Sequence, residues 1–79
     1  MIPADTKYQL DNYVKCGVPV GDFLYAVLTN DLFGAFNRAD EHNRYSLFDI
    51  CSYIYCYVPL SCYGTSEKVK AWLEGKCSP

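Results

Sequence analysis

Between Asp49 and Cys62 the chain reads DICSYIYCYVPLSC, fourteen residues that hold three of its five cysteines and three of its eight tyrosines. Thiolates bind metals and attack electrophiles, so this run and the lone histidine, His42, are where chemistry would first be sought. A structural zinc needs four donors that converge. On a helix, Cys51 and Cys56 stand five residues apart, about 140° out of register, and His42 lies well upstream of both. No CxxC pair and no His-x-His spacing occurs. A nucleophilic cysteine needs a neighbouring base, and nothing in the spacing ties His42 to Cys16, Cys62 or Cys77. The thiols therefore read as small buried hydrophobes. The sequence assigns no catalytic residue, no metal ligand and no cofactor.

The other candidates for chemistry lie in NRADEHNR, where Arg38, Asn43 and Arg44 gather around Asp40, Glu41 and His42. Two guanidinium forks beside a helix N-terminus suit a phosphate or a carboxylate. They equally suit pairing with Asp31, Asp40, Glu41 or Asp49, which would simply fasten the junction, and the local density of acids favours that account. Aromatic side chains supply a second kind of surface. Tyr45, Tyr53 and Tyr55 bury large rings while keeping a polar tip, which suits a binding face. Trp72, three residues after Val69, reads first as core, although Tyr63 and Lys68 nearby would let it stack on a flat ligand. Arg38, Asn43, Arg44, Tyr45, Tyr53, Tyr55 and Trp72 are accordingly the candidate residues for a ligand or partner. Asn30 and Asp31 read as helix caps rather than ligands, and Gly21 and Gly34 are too isolated to form a phosphate loop.

The elements that must position these residues are helical. Pro3, Asp5 and the face Thr6, Leu10, Tyr13, Val14 predict a helix over residues 3–16, stopped by Gly17. Pro19 and the stripe Phe23, Leu24, Val27, Leu28 predict a second over 20–29. A short third follows over 31–37, with Leu32, Phe33 and Phe36 as its apolar members and Gly34 allowing another backbone close. Asp40 and Glu41 open a fourth, over 40–57, that Pro59 ends and that is the longest expected element. Thr65 or Ser66 caps a last helix carrying Val69, Trp72 and Leu73, ended by Gly75, with 76–79 frayed.

The alternation of tyrosines at 53, 55 and 57 would suit a strand in isolation, but apolar residues at 47, 50, 51, 54 and 58 follow the helical period. On that helix Leu47, Ile50, Cys51, Ile54, Tyr57 and Val58 share one arc, which Phe48 and Tyr55 extend. Ser46, Asp49, Ser52 and Cys56 lie opposite, with Tyr45 and Tyr53 close to them. The arc is wider than the roughly 100° stripe of a surface helix. Either the helix is central or its second flank lies at an oligomer interface. The expected architecture is a compact, single all-α domain of four to five short helices, because half of 79 residues would be too few to fold alone.

Seven basic residues against nine acidic ones leave a net charge of −2, without the basic field that nucleic acid requires. No segment approaches a membrane span or a signal-peptide core, so neither nucleic acid nor membrane is an expected partner and a cytoplasmic location is expected. A small core with surplus apolar surface favours homo-oligomerisation.

The segments VPVGDFLYAVLTNDLFGAF (18–36), RADEHNRYSLFDI (38–50) and YGTSEKVKAW (63–72), with the opening IP at 2–3, resemble a group of short uncharacterised proteins carried by bacteriophages and prophages. FLYAVLTNDL and RADEHNR carry most of that similarity, whereas the run from Tyr53 to Tyr57 departs from more polar versions. The group has no established activity, so no site residue carries over. The resemblance implies a viral accessory protein in a bacterial host's cytoplasm, not an enzyme, that inhibits a host anti-phage defence protein by stoichiometric binding. Two alternatives stand beside it. One is an oligomeric sponge for a cyclic nucleotide immune signal, with Arg38 and Arg44 on the phosphates and Tyr or Trp rings on the bases. The other is a structural or regulatory phage accessory protein.

Overall fold

The computed structural model describes residues 2–77, and these form six α-helices: α1 (Ala4–Cys16), α2 (Asp22–Leu28), α3 (Leu32–Arg38), α4 (Glu41–Tyr45), α5 (Leu47–Tyr57) and α6 (Ser66–Cys77). A 3-10 turn, Leu60–Cys62, joins α5 to α6. The fold is all-α. Its radius of gyration, 11.6 Å, is that of a compactly folded chain of this length, about 12 Å. Among the described residues no helix is long and apolar enough to cross a membrane.

Local signals explain most helix ends. Gly17 closes α1 in the left-handed conformation (φ 69°), its backbone satisfying the last carbonyls. Asp31 caps α3, its carboxylate accepting from Gly34 N at 3.0 Å, and Asp40 caps α4 through Asn43 N at 2.8 Å. Thr65 caps α6 by accepting from Lys68 N at 3.1 Å. Val58 is extended (ψ 131°) ahead of Pro59, whose ring excludes the helical conformation from the residue before it.

Thr6, Leu10 and Tyr13 are the buried face of α1, as their spacing predicts. Leu10 and Tyr13 join Leu24 and Leu28 of α2, Ile50 and Ile54 of α5, Val58 and Cys62 of the link that follows, and Val69 of α6 in one core. Tyr13 sits at the centre. Its ring is fully buried, its hydroxyl donates to the Cys62 carbonyl at 2.6 Å, and its own carbonyl accepts from Trp72 Nε1 at 2.9 Å. One residue thus ties α1 to both the 3-10 turn and α6.

Three expectations are corrected. The single helix over 40–57 is two, α4 and α5, meeting at Ser46, whose φ of −99° and ψ of 5° loosen the helical path there. Ser46 itself is buried rather than solvent-facing. Among the described residues the longest element is consequently the 13-residue α1. Gly75 does not end α6, which continues to Cys77; a glycine inside a helix weakens it by about 1 kcal/mol without breaking it. The frayed end expected over 76–79 extends onto residues 78 and 79, which lie outside the described residues. Finally, Gly34 admits side chains rather than a backbone: the Asp31 carboxylate and the Arg38 guanidinium occupy the space a Cβ would need.

Candidate functional site

The sharp turn between α2 and α3 sets up the first half of the site. Thr29 Oγ1 donates to the Tyr25 carbonyl at 2.8 Å, Asn30 takes a positive φ of 66°, and Asp31 N reaches back to the Ala26 carbonyl at 2.8 Å. Asp31 then holds both ends of α3, capping Gly34 N and lying 3.9 Å from Arg38 Nη1. This hairpin presses Ala35 and Ala39 inward and turns Leu32, Phe33 and Phe36 outward.

Helix α5 supplies the second half. Of its wide apolar arc, Ile50 and Ile54 enter the core, as does Val58 just past its end. The rest of the arc divides by direction. On the flank toward α1, Tyr53 is half-buried, with its hydroxyl donating to Asp11 Oδ1 at 2.7 Å, Lys7 Nζ 5.9 Å from its ring centre and the tilted Tyr57 ring 5.2 Å away, centre to centre. That hydrogen bond, then burial and the Asp11 charge, raise the Tyr53 pKa above the ordinary tyrosine value. On the flank toward α3, Phe48, Cys51 and Tyr55 stand at i, i+3 and i+7 and are exposed. The reading of this helix as buried from several sides within one chain is therefore corrected: Phe48, Cys51, Tyr55 and Tyr57 are exposed.

A seam joins the two halves. Leu32 and Ala35 of α3 share a small hollow of about 70 Å³ with Leu47 and Cys51 of α5. A larger one of about 280 Å³ continues past Cys51 to Tyr55 and Tyr63, with Val27 and Asn30 common to both. Phe33 is 85% exposed, Phe48 81%, Tyr55 78%, Leu32 61% and Phe36 52%. At about 200 Å² per aromatic ring, these five side chains together expose on the order of 700 Å² of apolar surface. Arg44 rims it. Its Nε donates to the Phe36 carbonyl at 3.2 Å and its guanidinium lies 5.0 Å from that ring's centre. Among the described residues no carboxylate pairs with it.

A second, polar cleft of about 490 Å³ opens elsewhere, where the first turns of α1 and α2 meet the α3–α4 junction. Asp5, Asp22 and Asp40 line it with Arg38, His42 and Asn43. Thr6 Oγ1 donates to Asn43 Oδ1 at 2.7 Å, fastening α4 to α1. Three carboxylates against one guanidinium make this cleft a poor host for phosphate.

The candidate residues thus separate. Arg38 and Asn43 share the polar cleft, one bridged to Asp31 and the other tied to Thr6. Arg44 lies outside the cleft's lining, on the aromatic face. Tyr55 belongs to that face, and Tyr45, the last residue of α4, is 84% exposed. Tyr53 and Trp72 spend their polar atoms on internal ties. Sequence reasoning missed Leu32, Phe33, Phe36 and Phe48 as site residues; the signal for the first three was a third helix with more large apolar groups than its seven residues can bury, and that for Phe48 was its place at the margin of the wide arc of α5.

The thiol of this face, Cys51, is not activated. Partial burial pushes the Cys51 pKa up, which favours the unreactive thiol. Among the described residues no group of three or more His, Cys, Asp or Glu could hold a metal ion. Comparison with family models, curated proteins and solved structures returns no match.

Proposed function

We propose that the chain is a small, non-enzymatic binding protein that inhibits a bacterial anti-phage defence protein by docking its α3–α5 aromatic face on it, in the host cytoplasm. The observation that carries the reading is the exposed face of Leu32, Phe33, Phe36, Phe48 and Tyr55. Exposed rings around unfilled hollows are the ordinary make-up of a protein-binding hot spot, and an arginine at the rim adds orientation. The phage resemblance of FLYAVLTNDL and RADEHNR supplies the class of target, by analogy of sequence rather than by geometry.

The cyclic nucleotide sponge receives less support. Arg38 and Arg44 do not line one cavity, and the cleft that contains Arg38 is rich in acids. Isothermal calorimetry against a panel of cyclic di- and trinucleotides separates the two readings: micromolar binding would favour the sponge. The docking reading is tested by co-purification with individual defence proteins and by phage growth on hosts bearing each system. A one-to-one complex with one defence protein, and loss of phage growth on that host when the gene is deleted, are expected. Unaltered growth across all defence-bearing hosts would refute it.

A further inference from the structure

We infer that in the absence of a target the α3–α5 face is covered by a second copy of the chain, paired about a two-fold axis that sets the two α3 helices antiparallel. The inference goes beyond docking on a host protein, since it concerns the chain alone.

Area is the first argument. On the order of 700 Å² of apolar side chain is close to the roughly 800 Å² that each partner contributes to a standard stable interface.

Shape is the second. A two-fold interface must be self-complementary, with projections and recesses on the same patch. This face has both: Phe33 and Phe48 project, 85% and 81% exposed, and the 280 Å³ hollow lined by Cys51, Ile54, Tyr55 and Tyr63 recedes. A ring from one copy can fill the hollow of the other, and the relation repeats in reverse.

Charge is the third, and it selects a second copy. Asp31 marks the first end of α3, and Arg44 covers Phe36 near the last end without a carboxylate partner among the described residues. Antiparallel α3 helices bring the acidic end of each copy toward the uncompensated guanidinium of the other. Asp31, 3.9 Å from its own Arg38 and still more than half exposed, then also faces the Arg44 of the other copy, with no foreign partner required.

Sedimentation equilibrium of the isolated chain reads the pairing directly. Mass should rise from 9.0 kDa to twice that as concentration increases from about 1 to about 200 µM, the range where modest interfaces associate. Phe48→Glu and Phe33→Glu, both at exposed positions, should each weaken association at least tenfold with unchanged helical circular dichroism. Tyr8→Ser, at a position 68% exposed on α1, should associate as the parent does. A mass of 9.0 kDa at every concentration overturns the pairing, even where an added target still binds. A dimer indifferent to both glutamate substitutions overturns the assignment of the face.

Discussion

Tyr13→Phe removes one oxygen from the centre of the fold. The phenol is fully buried, and its hydroxyl holds the Cys62 carbonyl, 49 residues away, at 2.6 Å. A buried hydrogen bond of this kind contributes about 1 kcal/mol net, and weakening the satisfaction of a buried carbonyl raises the cost toward about 2 kcal/mol. For a domain of this size each kcal/mol corresponds to about 4–8 °C, so the melting temperature should fall by roughly 5–15 °C. Urea denaturation at pH 7 should show a lower midpoint with an unchanged m-value. Alkaline pH supplies an independent arm. Burial, reinforced by Cys62, pushes the Tyr13 pKa to about 12 in the folded chain, above its ordinary value of 10.0. The folded state therefore holds its proton more tightly than the unfolded state. This contribution is complete below pH 10 and is lost as pH rises from 10 through about 12, by at most about 1.4 kcal/mol per pH unit. The phenylalanine variant lacks this titration, so the gap between the two proteins should narrow above pH 10. A difference below about 0.3 kcal/mol at pH 7, or a gap constant to pH 11.5, would refute the assigned role of Tyr13.

Other perturbations follow from the same contacts. Asp31→Ala removes the α3 cap and should cost about 1 kcal/mol in denaturant titrations. Gly34→Ala should be nearly neutral, because about 1 kcal/mol of helix propensity offsets the displaced cap; added to Asp31→Ala, however, it should restore about 1 kcal/mol, a non-additivity that a double-mutant cycle detects. Tyr53→Phe loses the tie to Asp11 and should destabilise by about 0.5–1 kcal/mol, with faster amide exchange in the second half of α1. Ile54→Ala should cost about 2–4 kcal/mol, whereas Phe48→Ser, on the exposed flank of the same helix, should stay within about 0.5 kcal/mol of the parent.

Those last two residues show where the sequence could and could not be read. Period and capping are local, and the face Thr6, Leu10, Tyr13, the stop at Gly17, the Asp31 cap and the break before Pro59 all come from interactions within a few residues. The joint at Ser46 is not local in that sense, since a buried serine in an otherwise continuous helical pattern leaves no mark in the period. Nor does a helical wheel say what covers each sector. Ile54 and Phe48 both lie within the broad apolar arc of α5, yet only Ile54 meets the core, because α3 is short and turned by Asn30 and Asp31 so that its own large side chains face out beside Phe48. The two arginines illustrate the same gap. Six residues apart in a charged run, they are sent to different surfaces when Arg38 turns back to Asp31 and Arg44 to Phe36.

The claim that the α3–α5 face is the working surface is tested most directly by phage plating efficiency on a defence-bearing host that the parent protein renders permissive. Phe36→Ser combined with Phe48→Ser, expressed to the parent level, should abolish the rescue, while Tyr8→Ser and Asp22→Asn, the latter in the polar cleft, should leave it intact. Full rescue by the double variant together with loss of rescue by Asp22→Asn would contradict the account and move the working surface to the cleft.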